Sequence, residues 1–347
     1  APVVTELRRR HPGLRLTVQA RLPTAFIATR LAEPFAHLDE AADVGPLMAS
    51  PLQVRWAESL AAYHAFHADW PAALARQQAH YAADPPDLVL ADIPWLPLAA
   101  ARAAGIPAVA LCSLNWLDIL RESPCGADLD QDLAATMAAA YGDAELFLRP
   151  APTMPMAWLP NARDIGPIAR RGQDQRMMIR ARLGLDPATR LVVRQFGGIP
   201  GSETAAWPTI PGMHWLTAGD STPAGPATTP IADLGLDYLD ALASADLLLT
   251  KPGYGSFTEA ACHGLPVLYV PRGDWPEEPH LIDWLCRQVT CASIALDRCQ
   301  SDDLATTLHA LLAQPRDTAV APTGIAQACD LLAPLLQRSP TRPRPPA

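Results

Sequence analysis

The segment Thr250-Lys251-Pro252-Gly253-Tyr254-Gly255-Ser256-Phe257-Thr258-Glu259 sets two glycines, a cation, several hydroxyls and a carboxylate in one short stretch. An apolar run, Leu247–Leu249, precedes it and reads as a buried strand; a helical pattern follows. The expected order is strand, glycine turn, then a helix starting at Ser256. Backbone N–H groups at a helix start, with the positive dipole end behind them, bind anions, and glycines let phosphate oxygens approach the main chain. Lys251 adds a cation at the mouth. The turn has no Gly-Lys-Ser/Thr triplet, so it does not read as a P-loop. Ser256-x-x-Glu259 fits a capping box equally well, a local device that needs no ligand. From the residues alone both readings stand.

With its surroundings, Asp246–Leu281 (DLLLTKPGYGSFTEAACHGLPVLYVPRGDWPEEPHL) resembles the C-terminal half of the GT-B nucleotide-sugar enzymes. It is similar to the N-acetylglucosaminyltransferases that make lipid II, and more so to the glycosyltransferase-like module of plant-type arabinokinases. Asp87–Leu111 and the following Ser113-Leu114-Asn115-Trp116 resemble the acceptor domain of the same superfamily. The resemblance implies that Gly253, Gly255 and Ser256 hold a diphosphate, with Lys251 beside them. Glu259 would accept bonds from ribose hydroxyls, since one carboxylate takes two at once. Glu277 and Glu278 would face the sugar, although acids at a helix start also suit the macrodipole without a ligand. Gly197 and Gly198 would line the opposite side of the cleft, or form a plain turn. Trp275, beside the acid pair, is placed to stack on a sugar.

What is implied is a sugar transfer from a nucleoside diphosphate donor, UDP above others, to an unknown acceptor. No metal or cofactor is expected, because helix-start N–H groups and Lys251 can meet the charge on the departing diphosphate. Relatives carry a catalytic His in the first glycine-rich loop, which here would precede Ala1. Within the chain, Asp92 at the end of a buried strand is the weak candidate for a base, with a turn-capping role as its alternative. Two other functions compete: a non-catalytic module that binds a sugar nucleotide or a partner, and a sugar-nucleotide epimerase.

The elements around these residues alternate. Leu14–Ala20, Asp87–Ala91, Pro107–Leu111 and Glu145–Leu148 read as strands. Helical patterns span Val54–Tyr81, broken at Pro71, and also Leu96–Ala104 and Leu129–Tyr141. A Pro-rich stretch between Pro150 and Arg171 marks a boundary, after which the alternation starts again. The expected fold is α/β, two Rossmann-like domains facing across a cleft as in GT-B enzymes, the first apparently lacking its first strand. Residues 1–165 form the N-terminal acceptor-type domain, 166–337 the nucleotide-sugar-binding domain, and 338–347 a disordered tail. A ligand belongs at the carboxyl ends of the strands.

The chain has 347 residues, more than one core usually supports. Its net charge of −9 argues against a nucleic-acid partner. No apolar run is long enough for a transmembrane segment. Seven cysteines, an odd number without a C-x-x-C pair or zinc spacing, read as reduced thiols of a cytoplasmic protein.

Overall fold

The computed structural model describes residues 1–196, 208–218 and 227–338. The chain divides into two compact units, one of Ala1–Leu47, Trp56–Ile168 and Thr323 onward, the other of Met48–Arg55 and Ala169–Pro322.

In the first unit, α1 (Pro2–Arg10) leads to β1 (Thr17–Gln19), which pairs in parallel with β2 (Ala36–Leu38). Two helices follow, α2 (Trp56–Ala68) and α3 (Trp70–Ala83). The break falls at Asp69, so Pro71 occupies the first turn of α3, where its missing N–H leaves no bond unmade. A parallel sheet is then built in chain order from β3 (Val89–Ala91), β4 (Ala108–Leu111), β5 (Leu146–Pro150) and β6 (Ala162–Ile165). Between its strands lie α4 (Leu96–Ala103), α5 (Trp116–Glu122) and α6 (Gln131–Gly142). Gly105, at φ +66°, ends α4 in the left-handed conformation that glycine adopts without strain.

Two expectations fail in this unit. Strand β6 lies inside the stretch read as linker, because its pairing to β5 is a main-chain matter and its side chains carry little apolar pattern. Nor does the C-terminal helix Gly324–Arg338 belong with residues 166–322, as the sequence division had it. Its Ala328, Cys329, Leu332 and Leu335 pack on Val3 and Leu7 of α1 and on Val109, Leu148 and Ile165 of the sheet.

The second unit runs α7 (Arg176–Leu183), β7 (Arg190–Gln195), β8 (Met213–Thr217), β9 (Thr228–Pro230), α8 (Tyr238–Ser244) and β10 (Leu247–Thr250). It continues through α9 (Tyr254–Cys262), β11 (Val267–Tyr269), α10 (Glu278–Gln288), β12 (Cys291–Ser293) and α11 (Asp302–Leu312). Its sheet is parallel throughout, in the order β9-β8-β7-β10-β11-β12. The central strands are apolar on both faces, as buried parallel strands must be. Leu191, Val193 and Leu248 enter one core, and Val192, Leu247 and Leu249 the other. From β7 the chain winds outward to β8 and β9, then returns to lay β10 on the other side of β7. That reversal is the topological switch point, where open α/β sheets leave a crevice at the strand ends.

Cys286 near the end of α10 and Cys291 at the start of β12 form a disulfide, which corrects the reading of all seven cysteines as free thiols. The turn between the two elements brings their Cα atoms to 5.5 Å, a proximity that a C-x4-C spacing does not announce.

Candidate functional site

The glycine turn leaves β10 beside the switch point. Thr250, its last residue, is buried and in register with Gln195, the last of β7. Gln195 Oε1 and Thr217 Oγ1, at the carboxyl ends of β7 and β8, are buried and have no hydrogen-bond partner among the described residues. Helix α9 starts two residues earlier than the sequence suggested, with Gly253 as its N-cap in extended conformation and no side-chain cap. Ser256 therefore lies inside the first turn, and the capping-box reading of Ser256 and Glu259 fails on geometry. The first rung of the helix ladder runs from the Phe257 N–H to the Gly253 carbonyl at 3.0 Å. The N–H groups of Gly255 and Ser256 precede it, at the positive end of the helix.

Among the described residues a Cβ on Gly255 would meet nothing within 4 Å, and one on Gly253 only the Lys251 carbonyl at 4.0 Å. Gly253 has φ −165°, which any residue adopts, and Gly255 is not left-handed either.

One turn further along α9, Glu259 is half-buried, and its main-chain carbonyl accepts from His263 Nδ1 at 2.7 Å. Its charge, together with burial as the larger cause, pushes the Tyr238 phenol well above its ordinary pKa. The Tyr238 hydroxyl is buried and has no hydrogen-bond partner among the described residues.

Glu277 and Glu278 open α10 and are both buried. Glu277 accepts the Trp275 indole N–H at 3.1 Å. Both Glu278 oxygens accept the Arg272 main-chain N–H at 3.0 Å, and one also takes the guanidinium Nε–H at 3.3 Å. Arg272 in turn donates from Nη2 to the Pro252 carbonyl at 2.8 Å and lies 5.0 Å over the Trp275 ring. A single side chain thus ties the loop after β11 to the glycine turn after β10. Sequence reasoning missed Arg272, and its one signal was a basic residue directly after a buried strand. Burial first, and then the nearby Arg272 charge, hold the Lys251 pKa down to about 8; Glu277 and Glu278 oppose them. A cation so placed acts in a poorly hydrated setting, where each charge interaction is stronger than in water.

Gly197 and Gly198 lie outside the described residues, as do Gly201 and Trp207. Trp215 is a core residue, and Trp284 packs on the other core of the same sheet. In the first unit, Asp92 directly follows β3 and is exposed. Burial among its neighbours raises its pKa, opposed by the N-terminal charge and the Cys112 thiol. Asn115, in the stretch that resembles an acceptor domain, is fully buried and caps α5 by accepting the Asp118 N–H at 2.8 Å. Among the described residues no group of His, Cys, Asp and Glu could hold a metal ion, and no helix is long and apolar enough to cross a membrane.

No family model matches the chain. A curated relative, the L-arabinokinase of Arabidopsis thaliana, is 28% identical over 204 residues, which cover 57% of this chain and 19% of that much longer protein. Solved structures agree along nearly the whole length. A glycotransferase of kitacinnamycin has TM-score 0.66 at 18% identity, covering 96% of this chain and 94% of its own. The calicheamicin glycosyltransferase CalG4 has TM-score 0.62 at 16% identity, with coverage of 99% and 95%. Arabidopsis thaliana UGT89C1 with quercetin has TM-score 0.59 at 15% identity, with coverage of 96% and 95%. The chain has the GT-B glycosyltransferase fold.

Proposed function

We propose that the protein transfers a sugar from a nucleoside diphosphate, UDP by preference, to an acceptor that remains to be identified. The observation carrying this reading is the start of α9, where two glycines that no contact among the described residues requires stand at the switch point beside a half-buried lysine. In this reading the N–H groups of Gly255 and Ser256 and the Lys251 ammonium hold the diphosphate and stabilise its charge as it departs. Gly253 keeps the approach open. Glu259 accepts the ribose hydroxyls, and Glu277 those of the sugar. Glu278 acts through Arg272, fixing the loop that presents Glu277. Gly197 and Gly198, after β7, complete the donor site, and Asp92 stays the candidate base within this chain.

Two comparisons support UDP as the donor nucleotide: UGT89C1, at TM-score 0.58, is also known complexed with UDP, and a second structural neighbour, LpCGTa, is too. We place the protein in the cytoplasm on the ground that five of its seven cysteines, Cys112, Cys125, Cys262, Cys299 and Cys329, remain thiols, while the Cys286–Cys291 disulfide weighs toward an oxidising compartment. A second reading, a sugar-nucleotide-binding module without transfer, draws on the match to part of an arabinokinase. Release of UDP from a panel of UDP-hexoses and UDP-N-acetylhexosamines, with acceptor extracts present, separates the two. Transfer predicts acceptor-dependent UDP release with one donor preferred. Donor binding without release in any mixture would favour the module.

A further inference from the structure

The second unit carries a basic cluster at the end of its sheet opposite the glycine turn. Arg190 opens β7, Asp246 immediately precedes β10 and Pro266 immediately precedes β11, so all three stand at the amino ends of parallel strands. With Leu312, the last residue of α11, and with Gln314 and Arg316 beyond it, they line a cavity of about 170 Å³. The candidate donor site lies at the carboxyl ends of the same strands. The length of β10, four residues at about 3.3 Å each, therefore separates the cavity from Lys251.

The carboxylate lining this cavity is already occupied. Asp246 Oδ2 accepts the Leu191 main-chain N–H at 2.8 Å. Its Oδ1 is shared by Arg176 at 3.6 Å and Arg190 at 3.7 Å, both too long for hydrogen bonds. Arg190 is exposed, and its guanidinium makes no hydrogen bond among the described residues. Arg316 is held by main-chain carbonyls: its Nε and Nη2 donate to His263 at 3.2 and 3.0 Å, which leaves Nη1 only the Ala245 carbonyl at 3.5 Å. Arg176 donates to that same carbonyl at 3.2 Å and to the Ser244 carbonyl at 3.0 Å. Burial first, and then the Arg176 charge, lower the Arg316 pKa; Asp246 and Asp174 oppose them. Asp174 is exposed, does not line the cavity, and spends one oxygen on the Arg176 main-chain N–H at 2.8 Å.

Three guanidiniums thus gather on one carboxylate, and the charge left over at the cavity is positive. The donors still unspent there are the Arg190 fork, Arg316 Nη1 and the Gln314 amide, all N–H groups that an oxyanion answers. A guanidinium fork matches the oxygens of a phosphate, and its charge makes those bonds stronger than neutral ones. The cavity is smaller than the roughly 300–1,000 Å³ that encloses a drug-sized ligand, so it suits one phosphate group and not a whole nucleotide. We propose that Arg190, Gln314 and Arg316 form a second anion site, which binds a single phosphate group, free or at the end of a small molecule. The site does not depend on the nucleotide reading, because none of its residues belongs to the glycine turn or the acid pair.

The test is calorimetric titration of the full chain with inorganic phosphate at neutral pH, with sodium chloride holding the ionic strength constant. Glycerol 3-phosphate and acetate are titrated in the same way. Phosphate is expected to saturate the protein and to bind at least about tenfold more tightly than acetate. Arg190→Gln is expected to weaken phosphate by about tenfold and to keep the parent Tm, since Asp246 retains Arg176 and the Leu191 N–H. Arg190→Lys, which keeps the charge without the fork, is expected to lose less. Phosphate is also a fragment of a diphosphate, so Lys251→Met separates the two sites: it should leave phosphate affinity at the parent value. Arg190→Gln should in turn leave any UDP-induced rise in Tm unchanged. Tighter binding of glycerol 3-phosphate than of phosphate assigns the site to a phosphorylated small molecule, and weaker binding to the free ion; both support it. No saturable phosphate binding, an unchanged affinity in Arg190→Gln, or phosphate binding lost in Lys251→Met would overturn the proposal.

Discussion

At the scale of single residues, Lys251 makes the sharpest claim. Burial lowers its pKa to about 8 from an ordinary value of 10.5, so the free site disfavours the cation while an anionic ligand favours it. For stability the sign is as follows. The unfolded chain binds the proton that the folded chain releases between about 8 and 10.5, so this group's contribution to stability rises with pH across that window. For a diphosphate the sign is opposite. Affinity holds below pH 8 and falls by about tenfold by pH 9 if only the ammonium form binds. Calorimetric titration of UDP from pH 7 to 9.5 should show this fall, and Lys251→Met should weaken binding and flatten it. An affinity indifferent to pH in the parent protein would remove Lys251 from the site.

At the scale of elements, Arg272 and Glu278 join two loops that the sheet brings side by side. Both side chains are almost fully buried, 7% and 6% exposed, with 3.3 Å between them. Removing one partner strands the other's charge, which costs about 3–5 kcal/mol, whereas replacing both with neutral residues of similar volume costs much less. Urea unfolding should therefore find Arg272→Met far more destabilising than the double variant Arg272→Met with Glu278→Gln. Additive losses would show that the pair is not coupled.

Much of this element-level picture could be read from the sequence. The strand before Lys251 and the glycine turn announce themselves through residue type and adjacency. The start of α9 was misplaced by two residues because Ser256 imitates a cap, while the real N-cap, Gly253, uses no side chain at all. Arg272 was illegible for a different reason. Its partners, Pro252 and Glu278, meet it only once β10 and β11 pair, and no spacing rule encodes that meeting.

For the whole molecule, alternation of strand and helix patterns foretold two α/β halves, but not which half the last helix joins. Helix Gly324–Arg338 returns to α1, where the Cys329 thiol donates to the Val3 carbonyl at 3.6 Å. Its own sequence shows an apolar face and cannot show which surface covers that face. Cys286 and Cys291 were similarly opaque, since their pairing depends on the turn between α10 and β12. The donor-site claim survives these corrections, because the glycine turn, Arg272 and the acid pair all belong to one unit.

The most direct measurement of that claim is UDP affinity in Gly255→Ala, taken together with its Tm. A Cβ at Gly255 meets nothing among the described residues and sits in a helical turn, so the fold should be unharmed or stabilised by up to about 1 kcal/mol. The same Cβ would stand where a diphosphate must approach. The account predicts an unchanged or higher Tm, with UDP-induced stabilisation reduced by at least about tenfold in affinity. UDP binding as tight as in the parent protein, or no stabilisation of the parent by UDP, GDP or ADP at all, would contradict it.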